Sequence, residues 1–283
     1  MKLFRFGQLG DEKPGLILEG GRKIDASGFG EEYDEVFFGG DGLERLQNWA
    51  EANAGVAPEV DDGVRMGAAI CRPSKIVCIG LNFSDHAKEA GMDIPDEPVV
   101  FFKATSAYCG VNDDLIIPRT SQKTDWELEL AFVIGKKASY VDEDSAMNHV
   151  AGYAMHNDYS ERNFQLERGG QWVKGKSCDS FAPFGPFMAT PDEIKDVNNL
   201  KMVLKVNGEA KQNGSTSYFI FQIPKLINYL SHMMTLLPGD IVSTGTPPGV
   251  GFGMKPPQFI KAGDVIEWSI EGLGSAKQTA VQA

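Results

Sequence analysis

Alternation of apolar and polar positions, rather than helical spacing, dominates this chain. KLFRFG and PGLILEGGRKIDAS, near the start, read as short strands joined by Gly and Asp turns, and LERLQNWAEANA reads as one helix. GAAICRPSKIVCIGLNF then opens the main body with a strongly apolar strand, IVCIG. Further on, VVFFKA, LELAFVIGK, KMVLKVNG, DIVSTG and DVIEWSIEG predict strands, while helical stretches are fewer: SDHAKEAG, DEDSAMNHV and IPKLINYLSHMM. The pattern predicts a mostly β protein with some α. Residues 1–70 are expected to form a small N-terminal α/β unit and residues 71–283 the main body.

Composition supports a many-turned β architecture, since the 283 residues include 32 Gly and 15 Pro. The formal net charge of -12 argues against nucleic acid, because phosphate binding needs clustered Lys and Arg. It leaves room for an anionic substrate in a locally positive pocket. The N-terminus lacks the apolar core of a signal peptide, and no stretch approaches the ~18 apolar residues of a membrane span. The four cysteines form no C-x-x-C pair. The expectation is a cytoplasmic protein with reduced thiols and no membrane or nucleic-acid partner.

Candidate chemistry begins in TDWELELAFVIG. Glu127 and Glu129 are two apart, so on a strand they point to one face, and no further charge follows in the apolar run. Two carboxylates at the mouth of a buried strand repel, and a bound Mg²⁺, Mn²⁺ or Ca²⁺ would remove that cost. The same spacing also describes two ordinary glutamates at a solvated strand end. Asp158, in AGYAMHNDYSERNFQ, is available as a third oxygen ligand or as a helix cap. In GLNFSDHAKEAG, His86 and Glu89 are three apart; on a helix they are neighbours and could form a base whose tautomer the carboxylate fixes, or a surface pair. The polar segment after His86 is expected to act as a lid. Lys103 either snorkels to solvent or ends a strand, and Lys176 could stabilise an enolate or oxyanion beside a metal. Arg162 and Gln165 could bind a substrate carboxylate and carbonyl. Thr246, in LLPGDIVSTGTPPGVGFG, could hold a carboxylate with nearby backbone amides. His149, His156 and His232 read as structural.

Each signal is weak alone, but their order is specific. GLNFSDHAKEAG, FFKATSA, DWELELAFVIGK, NDYSERNFQ, KGKSCDSFAPFGP and PGDIVSTGTPPGVG, taken in sequence, resemble the fumarylacetoacetate hydrolase superfamily over about residues 71–283. The resemblance implies a mixed β-sandwich roll with a small N-terminal domain, commonly as a homodimer. It implies that Glu127, Glu129 and Asp158 ligate Mg²⁺ or Mn²⁺, that His86 and Glu89 activate water, and that Lys176 and Gln165 lie near the reacting carbonyl. Arg162 and Thr246 match substrate-binding positions. Phe83 departs from the pattern, standing where many members carry Tyr. SERNFQLERGGQWVKGKSCDSFAPFGP and GMKPPQF resemble the bacterial subgroup of 2,4-diketo-3-deoxy-L-fuconate hydrolases, often labelled ureidoglycolate lyase. The implied activity is cleavage of the C3–C4 bond of a small anionic 2,4-dioxo acid in carbohydrate catabolism. Ureidoglycolate cleavage, oxaloacetate decarboxylation and dienoate isomerisation are alternatives on the same metal site, and a binding protein without turnover is the reading from outside the enzymes.

Overall fold

The run Leu128–Ile134 is buried along its whole length. A strand buried on both faces belongs in the middle of a sheet, and that is where it lies. The structure is a computed structural model that describes residues 1–85 and 94–283. His86, Glu89 and the start of the expected lid lie outside the described residues.

Strands β1 (Lys2–Phe6), β2 (Lys13–Ile17) and β3 (Lys23–Asp25) are followed by helices α1 (Glu35–Gly39) and α2 (Gly42–Asn53). The body begins with β4 (Ile76–Gly80), β5 (Val99–Lys103), β6 (Tyr108–Cys109), β7 (Leu115–Ile117), β8 (Thr124–Asp125) and β9 (Leu128–Ile134). Next come β10 (Val150–Asn157), β11 (Ser160–Glu161), α3 (Arg162–Leu166), α4 (Val173–Lys176) and β12 (Ala182–Ala189). The chain ends with β13 (Lys201–Val206), β14 (Glu209–Ser215), α5 (Ile223–Met233), β15 (Ile241–Ser243), β16 (Val265–Ile270) and β17 (Gly274–Gln282).

Among the described residues the largest sheet has 10 strands, ordered β3-β2-β1-β12-β10-β9-β15-β4-β5 with β6 beside β12. A 5-stranded sheet, β14-β13-β16-β17-β7, packs on it where β13 meets β9 and β17 meets β12. The fold is thus a mixed, sheet-rich one with a few helices, as the alternation predicts. Strand β1 pairs with β12, so the strands of residues 1–70 continue the large sheet, and their side chains join one continuous apolar core with the body. Arg65 adds a polar tie across the same junction, bonding Asp113 at 2.6 and 2.7 Å and Glu12 at 2.8 Å.

One expected helix changes in detail, and two strands form where the sequence pattern assigns none. DEDSAMNHV forms a 3-10 helix over Glu143–His149 rather than an α-helix, running directly into β10 at Val150. APFGPFMA is an interior strand despite its two prolines, which would ordinarily demote it to an edge; a bulge in its pairing with β10, between Tyr153 and Met155, accommodates the irregular backbone. GSAKQTAVQ is a strand whose buried positions are filled by small residues such as Ala276 and Ala280, which is why its pattern is faint.

Register decides what each face of the large sheet carries. On β9, Leu128, Leu130 and Phe132 share one face, and Met155, opposite Leu130, accepts a bond from Ile270 N–H of β16. That face is the packed interior between the sheets. The other face carries Glu129 and Ala131, with His156 opposite Glu129 on β10 and Ser243 opposite Ala131 on β15. Cys78 pairs in register with Ser243, and Phe101 with Cys78, extending the same face across β4 and β5 to Lys103. The chemistry-bearing residues of five neighbouring strands therefore converge on one surface. Leu130→Ala should cost about 2–5 kcal/mol of stability in urea unfolding, as truncation of a fully buried leucine does. Leu9→Ser, at a position 79% exposed, should stay within about 0.5 kcal/mol of the wild type.

Candidate metal centre

Glu127, Glu129 and Asp158 are all buried, and one ligand oxygen from each lies within 4.8 Å of the others. The backbone builds the cluster. Glu127 stands just before β9, two residues from Glu129, and its carbonyl accepts from Asp158 N at 2.8 Å while Asn157 Oδ1 accepts from Glu127 N at 2.9 Å. The end of β10 is thereby pinned to the start of β9, and Asp158 is delivered beside Glu127.

Buried carboxylates need partners, and two of the three have cations. Lys176 Nζ lies 2.5 Å from Glu127 Oε2 and 2.6 Å from Asp158 Oδ2, bridging them. Lys103 Nζ donates to Asp158 Oδ1, and also to Tyr159 O at 3.0 Å. Lys103 is 2% exposed, so it does not snorkel to solvent. Arg162 donates from Nη2 to Glu127 Oε1 at 2.6 Å, from Nε to Asp125 Oδ2 at 2.9 Å and from Nη1 to Gln165 Oε1 at 2.9 Å. Asp125 also accepts from the backbone of Gly251 and Phe252, at 2.7 and 3.0 Å, which anchors the loop after β15.

Among the described residues, Glu129 has no cation in an ion pair with it. Its Oε2 accepts from Ser243 Oγ at 2.5 Å and Gly245 N at 2.9 Å, so the amide of the Gly- and Thr-rich loop grips a carboxylate of the chain itself. In the same segment Thr244 and Thr246 donate their hydroxyls to Leu130 O and Leu128 O, and Thr246 accepts from Gln212 Nε2 at 2.7 Å. Titration follows the pairing. Burial raises all three carboxyls. Arg162 and Lys176 outweigh it at Glu127, and Lys103 and Lys176 outweigh it at Asp158, so both end below the usual range. At Glu129 burial is reinforced by Asp158 and Glu127, and its carboxyl is pushed well above the usual range. Lys176 is lowered by burial but raised more strongly by Asp158 and Glu127, and stays charged. Burial holds His156, in register with Glu129, neutral.

Asp125, Glu127, Glu129 and Asp158 outnumber Lys103, Lys176 and Arg162 by one, and Glu129 is the carboxyl left without a cationic partner among the described residues. A hard divalent cation fits this imbalance: the donors are all carboxylate oxygens, and a cation beside Glu129 supplies the positive charge that no side chain among the described residues does. The triad is a site for Mg²⁺ or Mn²⁺.

The centre forms the floor of a cavity of about 400 Å³. Gln165 and Thr246 line it with the charged groups, and Phe101, Leu166, Trp172, Val250 and Phe252 form an apolar wall. Gly80 lies so close to Trp172 that a Cβ there would sit 2.9 Å from the indole, so β4 admits the tryptophan only without a side chain. Gly175 allows α4 to lie on α3, since a Cβ would approach Glu161 O to 2.4 Å; that contact sets Lys176 over the carboxylates. A larger groove of about 730 Å³ elsewhere is lined by surface groups such as Glu209, Lys211 and Asp264 and carries no converging buried charges.

The structure thus brings Glu127, Glu129, Asp158, Lys176, Arg162, Gln165 and Thr246 to one cavity. It shows Arg162 engaged with Asp125, Glu127 and Gln165, and the Thr246 hydroxyl engaged with the backbone of β9. Phe83 is fully buried and packs edge-on against Phe219 at 4.9 Å. Sequence reasoning passed over Asp125, Lys103, Ser243 and His156 as members of the cluster. Asp125 was within reach, since it continues the Glu127–Glu129 spacing by one more step of two.

A centre of this kind, carboxylates at the ends of sheet strands with lysines between them and a pocket above, is a divalent-metal site on the floor of a cavity. Residues 75–281 match the family described as fumarylacetoacetate (FAA) hydrolase, C-terminal, and the chain belongs to that family. A protein of Burkholderia orbicola that carries the general name hydrolase is 48% identical over 279 residues, 98% of each chain. Among solved structures, fumarylacetoacetate hydrolase from Exiguobacterium antarcticum is 34% identical with a TM-score of 0.83, covering 100% of both chains. Maleylpyruvate hydrolase from Sphingobium sp. SYK-6, in complex with manganese(II) ion and pyruvate, is 27% identical with a TM-score of 0.84, again over 100% of both chains. A 2-hydroxyhepta-2,4-diene-1,7-dioate isomerase from Mycobacterium marinum is 29% identical with a TM-score of 0.73, covering 100% of this chain and 98% of its own. The family includes hydrolases and isomerases, and this chain is an enzyme of that family. Among the described residues, no helix is long and apolar enough to cross a membrane.

The position of Glu129 predicts how the metal-free protein responds to pH. Its folded pKa lies above its usual 4.5, so its stabilising contribution is complete below about pH 4.5 and is lost as pH rises through the raised value. Glu127 and Asp158 act in the opposite sense: their lowered values give stability present at neutral pH and lost only in acid. His156, held neutral by burial, acts against Glu129 over part of this range, so the comparison is between proteins: in urea unfolding of metal-stripped protein from about pH 5 to about pH 8, Glu129→Gln should gain stability relative to the wild type as pH rises. Parallel curves for the two proteins would mean that Glu129 is ionised throughout.

Proposed function

We propose that this chain hydrolyses the C3–C4 bond of a 2,4-dioxo acid of the acylpyruvate type, giving pyruvate and a second carboxylic acid. The observation that carries the reading is Lys176, a buried ammonium held over two carboxylates of the metal triad on the floor of the cavity. It has three N–H donors. Two are used by Glu127 and Asp158, and the third is available to an oxygen that gains negative charge in the cavity.

When bound, the divalent cation supplies Lewis acidity at the 2-oxo group and makes the pyruvate fragment a tolerable leaving group. The protein's own residues do the rest. Gln165 and Lys176 orient the substrate oxygens. The apolar wall of Phe101, Leu166, Trp172, Val250 and Phe252 packs the acyl portion and displaces water from around it. His86, assisted by Glu89, takes a proton from water as the water oxygen bonds to carbon 4; this role is assigned from the sequence pattern. Lys176 steadies the charge that develops on the carbon 4 oxygen. The C3–C4 bond then breaks with its electron pair leaving on carbon 3, which takes up a proton to become the methyl group of pyruvate. Carbon 4 keeps the added oxygen as a carboxylic acid. For 2,4-diketo-3-deoxy-L-fuconate, the substrate that the subgroup resemblance favours, that acid is lactate. The manganese(II) and pyruvate bound by the similar maleylpyruvate hydrolase support both the cation and the product.

Isomerisation of a 2-hydroxydienoate is the second reading, favoured by the isomerase among the similar structures. It needs proton movement but no attack by water. A panel of acylpyruvates, 2,4-diketo-3-deoxyfuconate, a 2-hydroxydienoate, oxaloacetate and ureidoglycolate, run on metal-stripped enzyme with and without Mn²⁺, separates them. Metal-dependent pyruvate release from a 2,4-dioxo acid is the expected result. A spectral shift of the dienoate without pyruvate would move the assignment to isomerase, pyruvate from oxaloacetate alone to decarboxylase, and glyoxylate to the lyase. His86→Ala should abolish hydrolysis and leave Mn²⁺ binding intact, and Lys176→Met should lower kcat by about 10²–10³-fold. Full activity in either variant would remove that residue from the mechanism.

A further inference from the structure

We infer that His156 is a positioning residue for the metal centre: through Ser243 it fixes which oxygen of Glu129 is offered to the cation. The inference rests on the carboxylate site and is independent of the reaction assigned to it.

Ser243 Oγ lies 2.5 Å from Glu129 Oε2 and 2.7 Å from His156 Nδ1. A serine hydroxyl has one hydrogen. With Glu129 ionised, as it is when it ligates a cation, that hydrogen is donated to the carboxylate, so the bond to the imidazole runs the other way, with Nδ1–H donating to Ser243 Oγ. That fixes the tautomer and leaves Nε2 as a bare acceptor. Nε2 is indeed buried, with no hydrogen-bond partner among the described residues. An imidazole with one unsatisfied nitrogen, at a position 1% exposed, is a poor way to fill a core where an apolar ring would fit. The bond it makes therefore has a use.

The sheet register shows what the use is. His156 stands directly opposite Glu129 on β10, and Ser243 opposite Ala131 on β15. The three polar side chains lie on one face across three adjacent strands, His156 and Ser243 reaching each other over β9. By occupying the acceptor side of Ser243 Oγ, His156 sets the hydroxyl rotor so that its hydrogen points at Glu129. Glu129 Oε2 then accepts from both Ser243 Oγ and Gly245 N, the latter at 2.9 Å. With Oε2 saturated, Oε1 is the oxygen that faces the cation. Without the imidazole the serine hydroxyl can turn away and Glu129 can pivot, offering either oxygen or both. Groups that orient a ligand in this way are part of a metal site's affinity although they do not touch the metal.

The test is Mn²⁺ binding to the full-length, metal-stripped protein, followed by calorimetry and by the EPR signal of free Mn²⁺. His156→Phe keeps a ring and removes the donor; Ser243→Ala breaks the next link. Each should weaken Mn²⁺ about 10–100-fold. The double variant should be no weaker than either single one, because both cut the same chain. His156→Asn, whose amide nitrogen can occupy the place of Nδ1, should recover most of the affinity, and His156→Gln, whose amide reaches the place of Nε2, should not. A role in packing alone would give the reverse: losses that add in the double variant and no rescue by Asn. Should His156→Phe not fold, the Asn, Gln and Ser243→Ala proteins decide the matter. Wild-type affinity in Ser243→Ala, or additive losses, would overturn the inference.

Discussion

The ammonium of Lys176 lies between Glu127 and Asp158, and much of the architecture around the cavity is arranged to keep it there. Two buried carboxylates this close would drive each other towards protonation, and a protonated pair is a poor ligand for a hard cation. One lysine shared between them keeps both ionised. The consequence reaches back into the chain. Gly175 must lack a side chain so that α4 can rest on α3 and bring the lysine to this point. Arg162 must take the outer oxygen of Glu127, and Asp125 must in turn neutralise Arg162. Truncating one member leaves another buried charge without its partner, which typically costs about 3–5 kcal/mol.

The same electrostatics explain why Glu129 differs from its neighbours. Glu127 and Asp158 are held by cations, whereas Glu129 is held by a serine hydroxyl and a backbone amide. Neutral donors orient a carboxylate without cancelling its charge. Two ligands are thereby kept ionised by lysines and arginine, and the third is the one whose ionisation a bound divalent ion would favour. The arrangement is an asymmetric one, and the asymmetry follows from strand order: β9 has β10, with Asp158 at its end, on one side and β15, with Ser243, on the other.

That strand order also marks the limit of what the sequence discloses. The acidic alternation of Glu127 and Glu129, the apolar run behind it and the third acid at Asp158 are local patterns, and a reading of neighbouring residues finds them. The strands carrying these residues and α5 are legible for the same reason. Lys103, His156 and Ser243 belong to strands far apart in the chain, and only pairing brings them to Glu129 and Asp158. In isolation each looks like an ordinary residue at a strand end. APFGPFMA and GSAKQTAVQ escape notice because prolines and small side chains blur the alternation, even though both form strands with many partners. His86 and Glu89 are legible only as a pattern, since they lie outside the described residues.

Hydrolases and isomerases share this fold, and the geometry shows how one centre can serve both. In the proposed function, the carboxylate triad and Lys176 serve any substrate in which negative charge gathers on a 2-oxo oxygen, whatever happens at the next carbons. Nothing in the floor of the cavity distinguishes cleavage from proton transfer. The distinction has to be made above it, by whether a water can be placed against carbon 4 and by which acyl groups the wall of Phe101, Trp172, Leu166 and Phe252 accepts. The floor is built from sheet strands buried on both faces and is correspondingly rigid. Much of the wall comes from the short helices α3 and α4 and from the loop anchored by Asp125, which can change in sequence without disturbing strand register. The proposed function therefore puts substrate choice in those segments and the class of chemistry in the charge pattern beneath them.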